Sequence, residues 1–477
     1  MVASSPHKFF KVFIALIFSV SCKKKDTIIA APQLSISSSE EIFIADGGIS
    51  EVSVTSNTNW SISNAASWCT ATASASGGNG KISLNVQPNP SATERSTIVS
   101  VSSGNILREI KLRQLSRVSG DSILPDATGM SSNAVQLAGK IKLGLNIGNT
   151  LEAIGGETAW GNPKITKSFV DFVKQSGFNA VRLPCSWNQY TVSSSNTVLK
   201  AEWLNRVKEV VQYCVDNDLY VILNIHWDGG WLENNITPDK QDAVNEKQRA
   251  FWKQIAIHLR NFDEHLIFAS ANEPNVETAA QMNILLSYHQ TFVNTVRSTG
   301  GRNSYRVLVV QGPSTDIDKT TVLMNTLPLD PAPDRMMVEV HYYSPYQFCL
   351  MSEDASWGKM FYYWGNGYHS TTDRSRNSTW GEEDYVIAEL QKMKTKFVDR
   401  GIPVVLGEFG AMHRSSLTGD ALSLHLASRA YYIKYVTQQL KAHGILPFYW
   451  DTGGLLSRTN NTVLDKQTLD SLIKGAQ

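Results

Sequence analysis

Residues 403–410 read Pro403-Val404-Val405-Leu406-Gly407-Glu408-Phe409-Gly410: a short branched apolar run that ends in a glycine, a carboxylate, an aromatic and a second glycine. A continuous apolar run of this length fits a strand covered on both faces. Residues 266–274 repeat the pattern, with Leu266-Ile267-Phe268-Ala269 leading through Ser270-Ala271 to Asn272-Glu273-Pro274. Outward from these two, similar runs occur at residues 141–147, 180–183, 220–225, 306–310, 336–340 and 445–449, which makes eight in all. Helical stretches separate them. In residues 201–218, Trp203, Leu204, Val207, Val210, Val211, Cys214 and Val215 fall on one stripe. Eight strands alternating with helices over roughly 340 residues predict an α/β fold, a (β/α)8 TIM barrel. Residues 344–383 are then an elaborated loop after strand six.

Chemistry in such a barrel sits at the C-terminal ends of the strands. Strand one runs into Asn146-Ile147-Gly148-Asn149, and strand two carries Arg182 and leads to Trp187. Strand three ends in His226-Trp227-Asp228, strand four in Asn272-Glu273-Pro274 and strand six in His341-Tyr342-Tyr343. Strand seven ends in Gly407-Glu408-Phe409-Gly410 and strand eight in Trp450-Asp451. Ionisable and aromatic residues thus collect on one rim. Two carboxylates there suit glycoside cleavage, which needs an acid for the leaving oxygen and a carboxylate for the anomeric carbon. Their environments must differ, because the two start in opposite protonation states. The rival use of the histidines is a metal site, but no HxH or HExxH spacing occurs, and neither a metal nor a cofactor is expected. Asp228, Glu339 and Asp451 also draw notice. Glu339 alternates with His341 along its strand, so both are able to face the barrel, and its role is open.

The constellation resembles glycoside hydrolase family 5 through Asn272-Glu273-Pro274, Gly407-Glu408-Phe409-Gly410, Arg182, His226, His341, Tyr343 and Trp450, in order across the C-terminal domain. The resemblance implies that Glu273 is the acid/base and Glu408 the nucleophile. It implies that Asn272 holds the neighbouring sugar hydroxyl, that Arg182 keeps Glu408 ionised and that Tyr343 hydrogen-bonds it. His226 and His341 would line the reacting subsite and Trp450 would form its sugar platform. The expected outcome is retention, with carboxyl groups about 5–5.5 Å apart. Asn149-Thr150-Leu151-Glu152-Ala153, Glu157-Thr158-Ala159-Trp160-Gly161-Asn162-Pro163, His226-Trp227-Asp228-Gly229-Gly230-Trp231 and the segment from His341 to Phe348 resemble the endoglucanase branch that includes xyloglucanases. Asn149 and Trp231 join the substrate-binding candidates on that ground. Tyr346, Phe348, Trp357, Trp364 and Trp380, like Trp231, lie in rim loops and are either sugar platforms or loop core. The expected substrate is a β-1,4-glucan, with xyloglucan ranked above cellulose and mixed-linkage glucan, and β-mannan as the alternative. A non-catalytic glycan-binding lipoprotein would use the same aromatics, but would not need both glutamates beside Arg182 and Asn272.

Residues 33–116 have another texture, rich in Ser, Thr, Asn and Gly, with period-two runs such as Val52-Ser53-Val54 and Ile82-Ser83-Leu84-Asn85-Val86. Turn signals separate the runs, and together they predict a small immunoglobulin-like β-sandwich. Asn59-Trp60-Ser61-Ile62, Ser67-Trp68-Cys69, Asn89, Arg95 and Leu112-Arg113-Gln114 make it resemble a BACON domain. Trp60 and Trp68 either stack on sugar or belong to the core of a spacer. Residues 117–135 read as a linker, and the barrel domain is placed at 136–477.

At the start, His7, Lys8 and Lys11 flank an apolar run over residues 12–18, too short to span a bilayer. Ser19-Val20-Ser21-Cys22 follows and resembles a lipobox, with Ser19 where that pattern has Leu. Residues 1–22 are therefore read as a lipoprotein signal with lipid on Cys22. The expected location is the outer face of a bacterial envelope, with secretion as the alternative. Cys69, Cys185, Cys214 and Cys349 show no metal spacing, and no disulfide is expected. A formal net charge of +1 gives no ground for a nucleic-acid partner. The remaining expectation is a monomer.

Overall fold

A computed structural model describes residues 31–43, 47–91, 93–114, 123–193 and 196–477. The signal reading and its Cys22 lie outside them. The chain divides into two compact units, one up to Arg117 and one from Val118.

The first unit is a sandwich of two four-stranded sheets. One sheet orders Leu34–Ile36, Gly48–Ser56, Gly80–Val86 and Cys69–Ala73; the other orders Glu40–Phe43, Ile106–Gln114, Arg95–Ser103 and Ser61–Asn64. Strict alternation puts Val52, Val54, Ile82, Leu84, Val99, Val101, Ile110 and Leu112 in one core. Trp60 is in that core, with its indole N–H donating to the Gly78 carbonyl at 2.8 Å. Trp68 is half-buried under the Arg95 guanidinium, 4.5 Å from the ring centre. Trp60 is therefore core, and Trp68 has one face taken.

The second unit is the expected (β/α)8 barrel. Its strands are Gly144–Ile147, Ala180–Leu183, Tyr220–Asn224, Leu266–Ala269, Leu308–Gln311, Met336–Tyr342, Val404–Phe409 and Ile445–Asp451. All neighbours are parallel, and strand one closes on strand eight with Asn146 beside Trp450. Two expected edges move. Ile141 is the C-cap of the helix Ala134–Lys140, whose Leu137 joins the apolar plug at the lower end of the barrel. Arg306 precedes strand five. Its buried guanidinium donates to the carbonyls of Phe262, Asp263 and Leu266 and so ties the entrance together. Ile123–Pro125, inside the stretch read as linker, pairs with Gly300–Gly301.

Alternation along each strand decides what enters the barrel. Val181, Leu183, Val221, Leu223, Phe268, Leu308, Val338, Val340, Val404 and Leu406 point outward into the helix-covered core. Ala180, Ile222, Ile267, Val309, Met337, Val405 and Leu446 point inward and form an apolar lower layer. Two residues further along the same strands come Arg182, Asn224, Gln311 and Glu339, all fully buried. Apolar residues thus fill the lower half of one interior and polar residues the upper half.

Candidate active site

Arg182 is the hub of the upper layer. One terminal nitrogen donates to Glu408 Oε1 at 2.9 Å and to Asn146 Oδ1 at 3.0 Å, and the other donates to Asn272 Oδ1 at 2.8 Å. Its Nε lies 2.8 Å from Glu339 Oε1. Asn146 completes a seam, since its Nδ2 reaches the carbonyls of Gly407 at 2.8 Å, Phe448 at 3.3 Å and Tyr449 at 3.2 Å. Strict alternation from Val405 would turn Glu408 outward. A register irregularity between Leu406 and Phe409 instead sends Phe409 to the helix side and leaves Glu408 beside His341. Gly407 is needed there, because a Cβ would lie 1.9 Å from Glu339 Oε1.

Glu408 is buried, and Tyr343 donates its hydroxyl to Oε2 at 3.1 Å. Glu273 is more open, at 45 % of its side chain. Its Oε1 lies 2.6 Å from His341 Nδ1, and its backbone N–H donates to Glu233 Oε1 at 2.7 Å. The second nitrogen of His341 faces Glu339 Oε1 at 3.2 Å. Carboxylates on both ring nitrogens call for the imidazolium. Burial opposes that charge, but Glu408, Glu273 and Glu339 push the ring up to about 10. One carboxyl oxygen each of Glu273 and Glu408 lie within 4.8 Å. Oxygens this near suit the close carboxyl pair of a retaining site, about 5–5.5 Å, better than the 6.5–9.5 Å or so that seats a water. The two carboxylates and His341 are close enough to meet one metal ion, which would have to displace the ring proton that the flanking carboxylates favour.

The two acids respond differently. Burial lifts Glu408 above the ordinary carboxylate range, with His341 and Arg182 pulling against it. Partial burial also pushes Glu273 up, but the hydrogen bond and charge of His341, with Arg182, outweigh it and hold Glu273 low. Glu273, Glu339 and Glu408 face the cations Arg182 and His341, an excess of one negative charge that leaves room for a mobile proton.

The remaining expected residues divide. His226 stacks on Trp450 with ring centres 5.7 Å apart and planes at 10°, and burial keeps it neutral, well below its usual range. Asn149 is outside the cluster. It sits in the left-handed region at φ 57°, with its carbonyl held by Asn162 Nδ2 at 3.0 Å. Trp231 is tied into its loop, with its N–H on Asp228 at 2.9 Å, its edge against Phe251 and the Lys247 ammonium 4.8 Å over its ring. Phe348 and Trp364 are fully buried, so of their two readings core holds: both pack on Tyr432, and Trp364 also on Tyr431 and Tyr435, of the helix Gly419–Ala442. Tyr346, Trp357 and Trp380 are exposed, as is Trp227. Asp228 is a loop clamp that accepts from Ser186 Oγ and the backbone N–H groups of Trp187 and Asn188. Asp451 likewise holds the N–H groups of Gly453 and Leu455. Gln311 and Glu233 belong to no motif. Inward alternation from Val309 was the available signal for Gln311, and none pointed to Glu233.

Comparison with known proteins places this geometry. Residues 146–455 match the cellulase family, glycosyl hydrolase family 5, and residues 58–115 match the BACON domain, described as an N-terminal binding domain. The chain belongs to glycoside hydrolase family 5. It is a retaining endo-β-1,4-glucanase of that family with a BACON domain in front. A xyloglucan-specific endo-β-1,4-glucanase of Bacteroides ovatus is 35% identical over 461 residues, 91% of this chain and 89% of that one. The solved structure of a Bacteroides ovatus family 5 xyloglucanase in complex with a XXXG heptasaccharide covers 93% of this chain and 100% of its own, at 33% identity and TM-score 0.74. A broad-specificity endoglucanase from Ruminococcus champanellensis with bound cellotriose covers 72% of this chain and 98% of its own, at 32% identity and TM-score 0.62.

Proposed function

We propose that this endoglucanase prefers xyloglucan, with Glu408 as nucleophile and Glu273 as acid/base. The observation that carries the roles is the pair's geometry: carboxyl oxygens within 4.8 Å, one carboxylate buried on Arg182 and the other open beside His341. Glu408 attacks the anomeric carbon as the glycosidic C–O bond breaks, and Glu273 delivers a proton to the leaving oxygen. The cluster's one excess negative charge leaves a place for that proton on Glu273, while His341, 2.6 Å away, stays an imidazolium. Arg182 and the Tyr343 hydroxyl hold Glu408 as the carboxylate against the lift of burial. Water, deprotonated by Glu273, then opens the glycosyl ester and restores the configuration. Asn272 is fixed by Arg182, and in this reading it holds the neighbouring hydroxyl.

The xyloglucan preference is supported by the likeness to xyloglucan-specific relatives along nearly the whole chain. A broader β-1,4-glucanase is the second reading, favoured by the likeness to the broad-specificity enzyme. Comparing kcat/KM on tamarind-type xyloglucan, carboxymethylcellulose, mixed-linkage glucan and mannan decides between them. Xyloglucan is expected to lead, and equal values on carboxymethylcellulose would overturn the preference. Glu273→Gln and Glu408→Gln should each lower turnover by about 10³-fold or more while leaving glucan binding in place. Near-native turnover in either variant sinks the assignment. The anchor at Cys22, on the outward face of the envelope, is proposed from the amino-terminal sequence alone; loss of membrane partitioning in Cys22→Ser tests it.

A further inference from the structure

Glu339 lies two residues before His341 on strand six and is fully buried. Its Oε1 stands 2.8 Å from Arg182 Nε and 3.2 Å from His341 Nε2. Its Oε2 accepts a hydrogen bond from Gln311 Nε2 at 2.6 Å, and Gln311 Oε1 in turn accepts the Ala271 N–H at 2.8 Å. Ala271 is two residues before Glu273. The carboxylate therefore touches both cations of the cluster and is locked from strand five.

We propose that Glu339 is a positioning residue: a fixed negative charge that holds Arg182 against Glu408 and His341 against Glu273 throughout the reaction. This deepens the reading of Glu273 and Glu408 given above and rests on it. In that reading Glu408 loses its charge on becoming a glycosyl ester, and Glu273 alternates between acid and carboxylate. Glu339 is the one carboxylate of the cluster whose charge does not change. Without it, the ester stage would leave two buried cations with Glu273 alone to balance them. Removing one member of a buried charge set leaves its partners uncompensated, which is costly. His341 is also faced by Glu408 at 3.8 Å, and its charge reaches His226 and Glu233.

The first test needs no variant of Glu339. In ¹⁵N-histidine spectra of the full-length protein, with the His341 signal assigned through His341→Asn, the ring should stay doubly protonated beyond pH 8. Titration near the ordinary value of about 6.5 overturns the proposal. In Glu339→Gln the ring should titrate at least one unit lower. Its kcat should fall about 10²-fold with KM within about twofold, and the alkaline limb of the rate profile should move to lower pH. Glu339→Asp should recover part of the loss. A folded Glu339→Gln whose pH profile superimposes on that of the parent also overturns it. Should Glu339→Gln not fold, Gln311→Met, which keeps the charge and frees one oxygen, is expected to move the alkaline limb the same way by less, and an unmoved limb counts against the proposal. Failure of the nucleophile assignment would show separately, as absent azide rescue in Glu408→Ala, and would leave the His341 titration untouched.

Discussion

The lower and upper layers of the barrel interior are built by the same strands, two residues apart, from opposite materials. Ala180 lies below Arg182, Ile222 below Asn224, Val309 below Gln311 and Met337 below Glu339. The lower layer is held by apolar burial and is indifferent to pH. The upper layer buries an arginine, an imidazolium and two carboxylates, which endure only because each answers another. Of the two interior layers, the lower is the one that apolar burial stabilises, and the upper carries the chemistry.

Three substitutions or conditions break this contrast in decreasing order. Arg182→Met should be the most severe, since it strands Glu339 and Glu408 together. Turnover should drop by about 10³-fold, and stability by about 3–5 kcal/mol. Denaturant melts and kcat measured on one preparation check both, and a stable, active variant would dissolve the distinction between the layers. Met337→Ala, in the lower layer of the same strand as Glu339, should cost about 2–5 kcal/mol of stability, with kcat of the folded fraction unchanged. A comparable loss in kcat would show that the layers are coupled.

The smallest effect is on pH. Burial raises Glu152 and Glu233 to about 7 and Asp228 to about 6, all in rim loops. Their folded values lie above those of the unfolded chain, so folding takes up protons and stability falls as pH rises from about 4 through about 7. His341, raised to about 10, adds stability that is present below about 6.5 and lost as pH rises through 10. The depressed Glu273 and Glu339 act oppositely, losing their contribution as pH falls below about 4.5. Thermal melts should therefore show a maximum in mild acid and a decline toward pH 8 that Glu233→Gln makes shallower. A melting temperature still rising at pH 8 would contradict this.

The eight strands were legible because an apolar run buried on both faces leaves few alternatives, and Glu273 and Glu408 were legible as strand-end carboxylates. What stayed hidden was set by distance in space. Alternation from Val309 could turn Gln311 inward but could not name Glu339 as its partner, and Glu233 matters only because the loops after strands three and four come together. Phe348 and Trp364 were open between platform and core, because the partner that buries them, the tyrosine face of the helix Gly419–Ala442, is more than fifty residues further along the chain. The irregularity in strand seven was equally silent, since Leu406-Gly407-Glu408-Phe409 reads as plain alternation until its neighbours are in place.

Asn146 gives the seam between strands one and eight a second meaning. The side chain that laces strand one to the carbonyls of strands seven and eight also receives the Arg182 guanidinium. Ring closure and arming of the arginine are thus a single event. A circular permutant cut between strands eight and one, or a pair of complementing half-barrels, would recover its charge network only when that stitch re-forms, so glucanase activity would report on closure itself rather than on the amount of folded chain.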